Sequence, residues 1–143
     1  MRNAVRVILR ALLVVVLVTL AGVTATSQES KPPLPGIPKY EPLSEVTLQG
    51  RVQEVKEYHC PISGTLGSHI AVKEEGVGAG VVEVHLAPVT FLKEYGITIK
   101  PDDLVTIVGV RVVFNGKPAM LAKTVTVQRD TYAFRNSKGA PLW

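Results

Sequence analysis

Cysteine is nearly missing from this chain. There is one, Cys60, so no disulfide can form within the molecule and the fold must hold without covalent staples. In an oxidising compartment a lone thiol is buried, pairs with another chain, or binds something. Aromatic side chains make up only 6% of the residues, which leaves few free platforms on which bases could stack. The uncharged apolar run from Ala11 to Ala21 falls short of the ~20 residues that span a bilayer. No internal repeat is visible. The glycines at 76, 78 and 80 lack the Lys-Ser/Thr ending of a phosphate loop and open no helix, so they mark a hairpin tip.

A charge of one sign is also lacking once the N-terminus is set aside. Arg2, Arg6 and Arg10 precede the apolar run, and Val23-Thr24-Ala25 follows it with the small residues that a signal peptidase reads. Residues 1–25 are expected to be a signal peptide, which places the protein in the periplasm or outside the cell. An uncleaved signal would be its only membrane attachment, and no cysteine follows the run to carry a lipid. Lys and Arg number 16 against 12 acids. Three of those cations belong to the signal, so 13 face 12 in the mature chain. Nucleic-acid binders carry a clear basic footprint, and the balance here predicts no nucleic-acid partner. Residues 26–44 follow as a linker. Pro32, Pro33, Pro35, Pro38 and Pro42 withhold backbone donors and favour an extended conformation.

What the chain does have is strand patterning over 45–143. Val46, Leu48, Gly50 and Val52 alternate with polar residues, the period of a half-buried strand. Gly50 suggests a bulge or bend, and Val55 breaks the alternation, so the strand changes face near it. Residues 68–86 predict a hairpin. Placing Val72 opposite Val82 and Ile70 opposite Val84 puts His69 opposite His85 and Ala71 opposite Glu83 on the outward face. Pro88 to Tyr95 is a short helix with Gly96 as its stop. A strand from Leu104 to Phe114 meets Asn115-Gly116, the strongest hairpin signal in the chain, and a strand from Ala119 to Val127 follows. Thr131 to Trp143 predicts a further hairpin, with Tyr132, Phe134, Leu142 and Trp143 capping one end of the core.

Three meandering strands, a helix and a closing hairpin are the plan of an OB-fold barrel. The segments VTLQGRVQEV and DDLVTIVGVRVVFNGKPAMLAKTV resemble the first and the last two strands of bacterial exported OB-fold proteins. The resemblance covers about the C-terminal two thirds of the chain and concerns architecture. The segment YHCPISGTLGSH belongs to no general pattern of that kind. The expected fold class is all-β with one short helix: a five-stranded OB-fold-like barrel plus a C-terminal hairpin, preceded by a signal peptide and a proline-rich linker.

The chemistry-bearing residues are unevenly placed. All three histidines and the cysteine lie between 59 and 85: His59, Cys60, His69 and His85. In an OB-fold, ligands bind the outer face of strands two and three. Here that face carries His69 and His85, with His59 and Cys60 in the loop beside it. Opposed strand residues have β-carbons ~4.5–5.5 Å apart, close enough for two imidazoles to reach one ion at ~2.0–2.1 Å and for a thiolate to join at ~2.3 Å. Cys60, His69 and His85 form a candidate metal set suited to zinc or copper, with His59 as fourth ligand or support. Met120 is a remote candidate for an axial ligand and is better placed as barrel packing. The bland alternative is a cross-strand histidine pair on a solvated face and a buried, inert thiol. A Cys60–His dyad could serve as nucleophile and base, but the sequence offers no orienting partner.

These expectations describe an exported, non-enzymatic binding module that holds zinc or copper. The alternative is a metal-free module for a protein, small ligand or oligosaccharide of the cell envelope. The expected partner is an envelope protein or a small ligand.

Overall fold

The computed structural model describes residues 36–143. The expected signal peptide (1–25) and the first part of the linker (26–35) lie outside the described residues. The elements follow in the order β1 (Glu45–Cys60), β2 (Thr65–Glu74), β3 (Val81–Pro88), α1 (Val89–Glu94), β4 (Leu104–Phe114), β5 (Lys117–Val127) and β6 (Asp130–Ala133). Neighbouring strands pair antiparallel in the order β3-β2-β1-β4-β5-β6, and a parallel pairing of β3 with β5 closes five of them into a ring. This is the OB-fold plan. The apolar alternation turns inward to build one core, in which Leu48, Val52, Ile70, Val84, Ile107 and Met120 are buried.

β1 is long because it changes face partway. Its register against β2 shifts between Val52 and Glu54, leaving Gln53 as an extra residue. Before this bulge Leu48 and Val52 point into the barrel; after it the even-numbered residues Lys56, Tyr58 and Cys60 point out. The bulge therefore sits at Gln53, not at Gly50. Gly50 serves close approach instead: a β-carbon there would lie 2.3 Å from the Lys73 carbonyl oxygen and 2.7 Å from Val72 Cγ1.

The β4–β5 turn follows its sequence signal. Asn115 and Gly116 take φ of +50° and +74°, the two positive values that a type I′ turn requires. β6 pairs back onto β5, and an isolated bridge joins Arg135 to Pro141. Phe134 is fully buried, and Tyr132 and Trp143 pack against the core, whereas Leu142 is exposed and takes no part in the cap. The last residues of the expected linker are packed rather than free. The Tyr40 hydroxyl donates to Glu45 at 3.0 Å, and the Arg135 guanidinium lies 5.0 Å from the Tyr40 ring and 5.2 Å from the Trp143 ring.

Candidate metal centre

Three strands bring the site together. β1 and β2 form a hairpin whose turn starts after Cys60, with Cys60 paired to Thr65, Tyr58 to Gly67 and Lys56 to His69. β2 and β3 pair with His69 opposite His85, Ile70 opposite Val84 and Val72 opposite Val82, the register that the apolar pattern predicts. Because side chains alternate, Cys60, His69 and His85 share the outer face of the barrel. One ligand atom from each lies within 4.8 Å of the others, and Cys60 Sγ is 3.5 Å from His85 Nδ1. Three donors around one ion, bonded at ~2.0–2.1 Å to nitrogen and ~2.3 Å to sulfur, stand roughly 3.6–3.8 Å apart. The Cys60–His85 pair already has that spacing, and the set as a whole closes on one ion by drawing in by up to about 1 Å.

The outer face is not the solvated surface that the alternative to a metal site supposed, although the thiol is buried as that alternative had it. Cys60 and His69 are 1% exposed and His85 is 4% exposed. A second layer roofs them. The Tyr58 ring stacks flat on His69, with centroids 3.9 Å apart and planes at 6°. Phe114, from the tip of the β4–β5 hairpin, meets His85 edge-on at 5.1 Å. Farther along the same face, Val110 and Leu121 pack with Tyr40 and Ile62 as a small outer core. A void of about 10 Å³ touches all three ligands, together with Ser63, Gly67 and Trp143. That volume accepts about one water-sized occupant.

Burial sets the protonation states. It pushes the His69 imidazole down from 6.5 to about 4, with His85 adding to the effect. It lowers His85 too, against the opposing pull of Glu83. Both rings are therefore neutral at neutral pH, the form that ligates metal. His69 Nδ1 and His85 Nε2 are buried without a hydrogen-bond partner. Unsatisfied buried ring nitrogens are costly unless something coordinates them.

Sequence reasoning missed the support around these ligands. Glu83 sits two residues before His85 on the same face. It accepts the Tyr58 hydroxyl at 2.5 Å, lies 3.7 Å from His85 Nε2, and faces Lys56 Nζ at 4.0 Å. Glu83 thus stands on the Nε2 side of the His85 ring, beyond hydrogen-bond reach, and Cys60 stands on the Nδ1 side; a carboxylate so placed can orient the ring when Nδ1 ligates. The Tyr58 hydroxyl is in turn pushed well up, first by burial and then by its bond to Glu83. Gly67 is the second omission. A β-carbon there would fall 2.9 Å from Cys60 Cβ, from His69 Cε1 and from Ser63 Oγ. The period of two along β1, β2 and β3 was the available signal, since it places Tyr58, Gly67 and Glu83 on the ligand face.

Two expected participants stand apart. His59 alternates with Tyr58 and Cys60, so it faces the other side of β1; it is exposed and outside the group of three. Met120 is fully buried on the inner face, paired with inward Val84, and the sheet separates it from the site. Beside the Cys60–His85 pair stands a carboxylate that the sequence did not suggest, Glu83, 3.7 Å from His85 Nε2, and the thiol is 1% exposed. Beyond Glu83 the outer face opens into a groove of about 600 Å³, with Ala71 and Ala119 on its floor, Lys56 and Tyr58 on one side and Phe114, Lys117 and Pro118 on the other.

Among solved structures the chain is similar to the mitochondrial single-stranded DNA binding protein Rim1 of S. cerevisiae in two crystal forms. The first is 8% identical with a TM-score of 0.46, covering 64% of this chain and 99% of that one. The second is 12% identical with a TM-score of 0.44, covering 64% and 98%. This corrects the expectation of no nucleic-acid partner: these neighbours are single-stranded DNA binding proteins, and a balanced charge count does not exclude that class. No curated protein matches the chain. Residues 44–132, nearly the whole barrel, match one family, and on that match the chain belongs to the MamS/MamX magnetosome protein family.

Proposed function

We propose that this protein is an exported, non-enzymatic module that works at the magnetosome and holds one transition-metal ion between Cys60, His69 and His85. The observation that carries the reading is the convergence of a thiol and two neutral imidazoles from three different strands, with one donor atom of each within 4.8 Å of the others. Donors of this kind suit zinc or copper. A binding role rather than a catalytic one is supported by the seal over the thiol, which leaves no approach for a substrate. The family's name supports the cellular setting, and the basic, apolar N-terminus supports export.

Metal titration of the purified protein tests this. One equivalent of zinc or copper is expected to bind tightly, and Cys60→Ser and His69→Ala are expected to abolish that uptake while far-ultraviolet circular dichroism stays that of the barrel. Equally weak uptake by wild type and both folded variants would leave a metal-free binding module as the function.

A further inference from the structure

We propose that the ion this site selects is monovalent copper rather than zinc. The inference rests on the metal-module reading and narrows it, from three features of the same pocket.

The first feature is the number of donors. Three protein ligands converge, and the other candidates are turned away. Met120 lies behind the sheet, His59 is exposed on the far side of β1, and the Glu83 carboxylate is engaged by the Tyr58 hydroxyl and faces Lys56. Structural zinc is almost always tetrahedral, and catalytic zinc fills its fourth position with water. The void of about 10 Å³ beside the ligands takes no more than one water-sized body. Drawn together, the three donors make a three-coordinate site with no fourth protein ligand in the group among the described residues.

The second feature is charge. An imidazole ligates through its free lone pair and so carries no charge when bound to metal, and one thiolate and one monovalent cation then sum to zero. A divalent ion would leave a net positive charge among ligands that are at most 4% exposed, and an uncompensated buried charge is strongly unfavourable. Glu83, 3.7 Å from His85 Nε2, offsets part of that charge from outside the ligand set, where it is bound by the Tyr58 hydroxyl and faces Lys56 at 4.0 Å.

The third feature is softness. A thiolate selects monovalent copper and zinc over harder ions, so softness narrows the choice to these two and the donor count decides between them. The aromatic roof of Tyr58 and Phe114 excludes the water that would favour oxidation and a larger coordination number.

The test is an anaerobic competition. The purified, reduced protein is titrated with cuprous ion against a colorimetric cuprous chelator and then challenged with zinc. The expected result is one cuprous ion per chain, retained when zinc is added in large excess. X-ray absorption on the loaded wild type, which needs no variant to fold, is expected to show three neighbours, one of them sulfur. Zinc binding one-to-one and displacing the copper, or a fourth light ligand in the absorption spectrum, overturns the copper assignment and leaves the metal module standing. Binding of both ions no tighter than to folded Cys60→Ser overturns the metal reading itself, and the assignment with it.

Discussion

His69 and His85 face each other across β2 and β3 with ring planes at 88° and centroids 4.6 Å apart. The edge of one ring meets the face of the other, so the pair packs as aromatics while one buried nitrogen of each, His69 Nδ1 and His85 Nε2, goes without a hydrogen bond. That dual character makes the pair stabilising when neutral and a liability when charged.

Acid should therefore unfold the metal-free barrel. His69 titrates near 6.5 in the unfolded chain and at about 4 in the folded one, so the unfolded state binds the proton first as pH falls. Stability is complete above 6.5 and declines as pH drops towards about 4, by on the order of 3 kcal/mol from this residue. Denaturant unfolding across that interval measures the slope. His69→Phe keeps a ring under Tyr58 and should flatten the slope. An unchanged slope would assign the acid sensitivity to other groups.

Glu83→Gln keeps the shape of the side chain and removes its charge. The Tyr58 hydroxyl, now held up chiefly by burial, should ionise at lower pH in a spectrophotometric titration. Metal affinity should fall by about tenfold to a hundredfold, the usual effect of losing a carboxylate behind a ligating histidine. A variant with unchanged affinity would show that Glu83 serves only the tyrosine.

Gly67→Ala inserts a methyl group between Cys60, His69 and Ser63, each of which has an atom 2.9 Å from the new carbon. Overpacking of this kind costs about 1–3 kcal/mol, and the spread donors should bind metal more weakly. Gly80→Ala is the matched control, because its β-carbon would meet nothing within 4 Å. It should leave both the melting temperature and metal uptake nearly unchanged. Equal losses in the two variants would refute the close-packing role.

Met120→Leu conserves volume in the inner core and should cost less than about 1.5 kcal/mol. Because Met120 lies on the inner face with Val84, metal affinity should not change. A shift in affinity would mean that the thioether reaches the ion.

Much of the scaffold was legible because it rests on local patterns. The β2–β3 register follows from pairing apolar residues, and Asn115-Gly116 announces its turn. The face of the ligands was legible too, but their burial was not. Phe114 covers His85 from 29 positions along the chain, and no period within a strand reveals a roof supplied by another hairpin. Gly50 was misread for a related reason: a glycine that permits a bulge and one that permits a close crossing look alike until the neighbouring strand is in place. His59 was drawn into the ligand set by adjacency in sequence, which in a strand sends consecutive residues to opposite faces. The inference from net charge failed differently, since a total count carries no information about where charges sit on a surface.

The ring of strands is closed by its shortest ladder, the parallel pairing of Glu83, Val84 and His85 with Ala119, Met120 and Leu121. One ligand of the proposed ion is the last rung of that seam. Cargo and closure would thus be mechanically linked: an occupied centre clips the barrel shut at its weakest join, and amide exchange along that join should slow on loading. A protein that withdraws the ion would have to prise this join apart, so release becomes a matter of local unfastening rather than of diffusion out of an open cup.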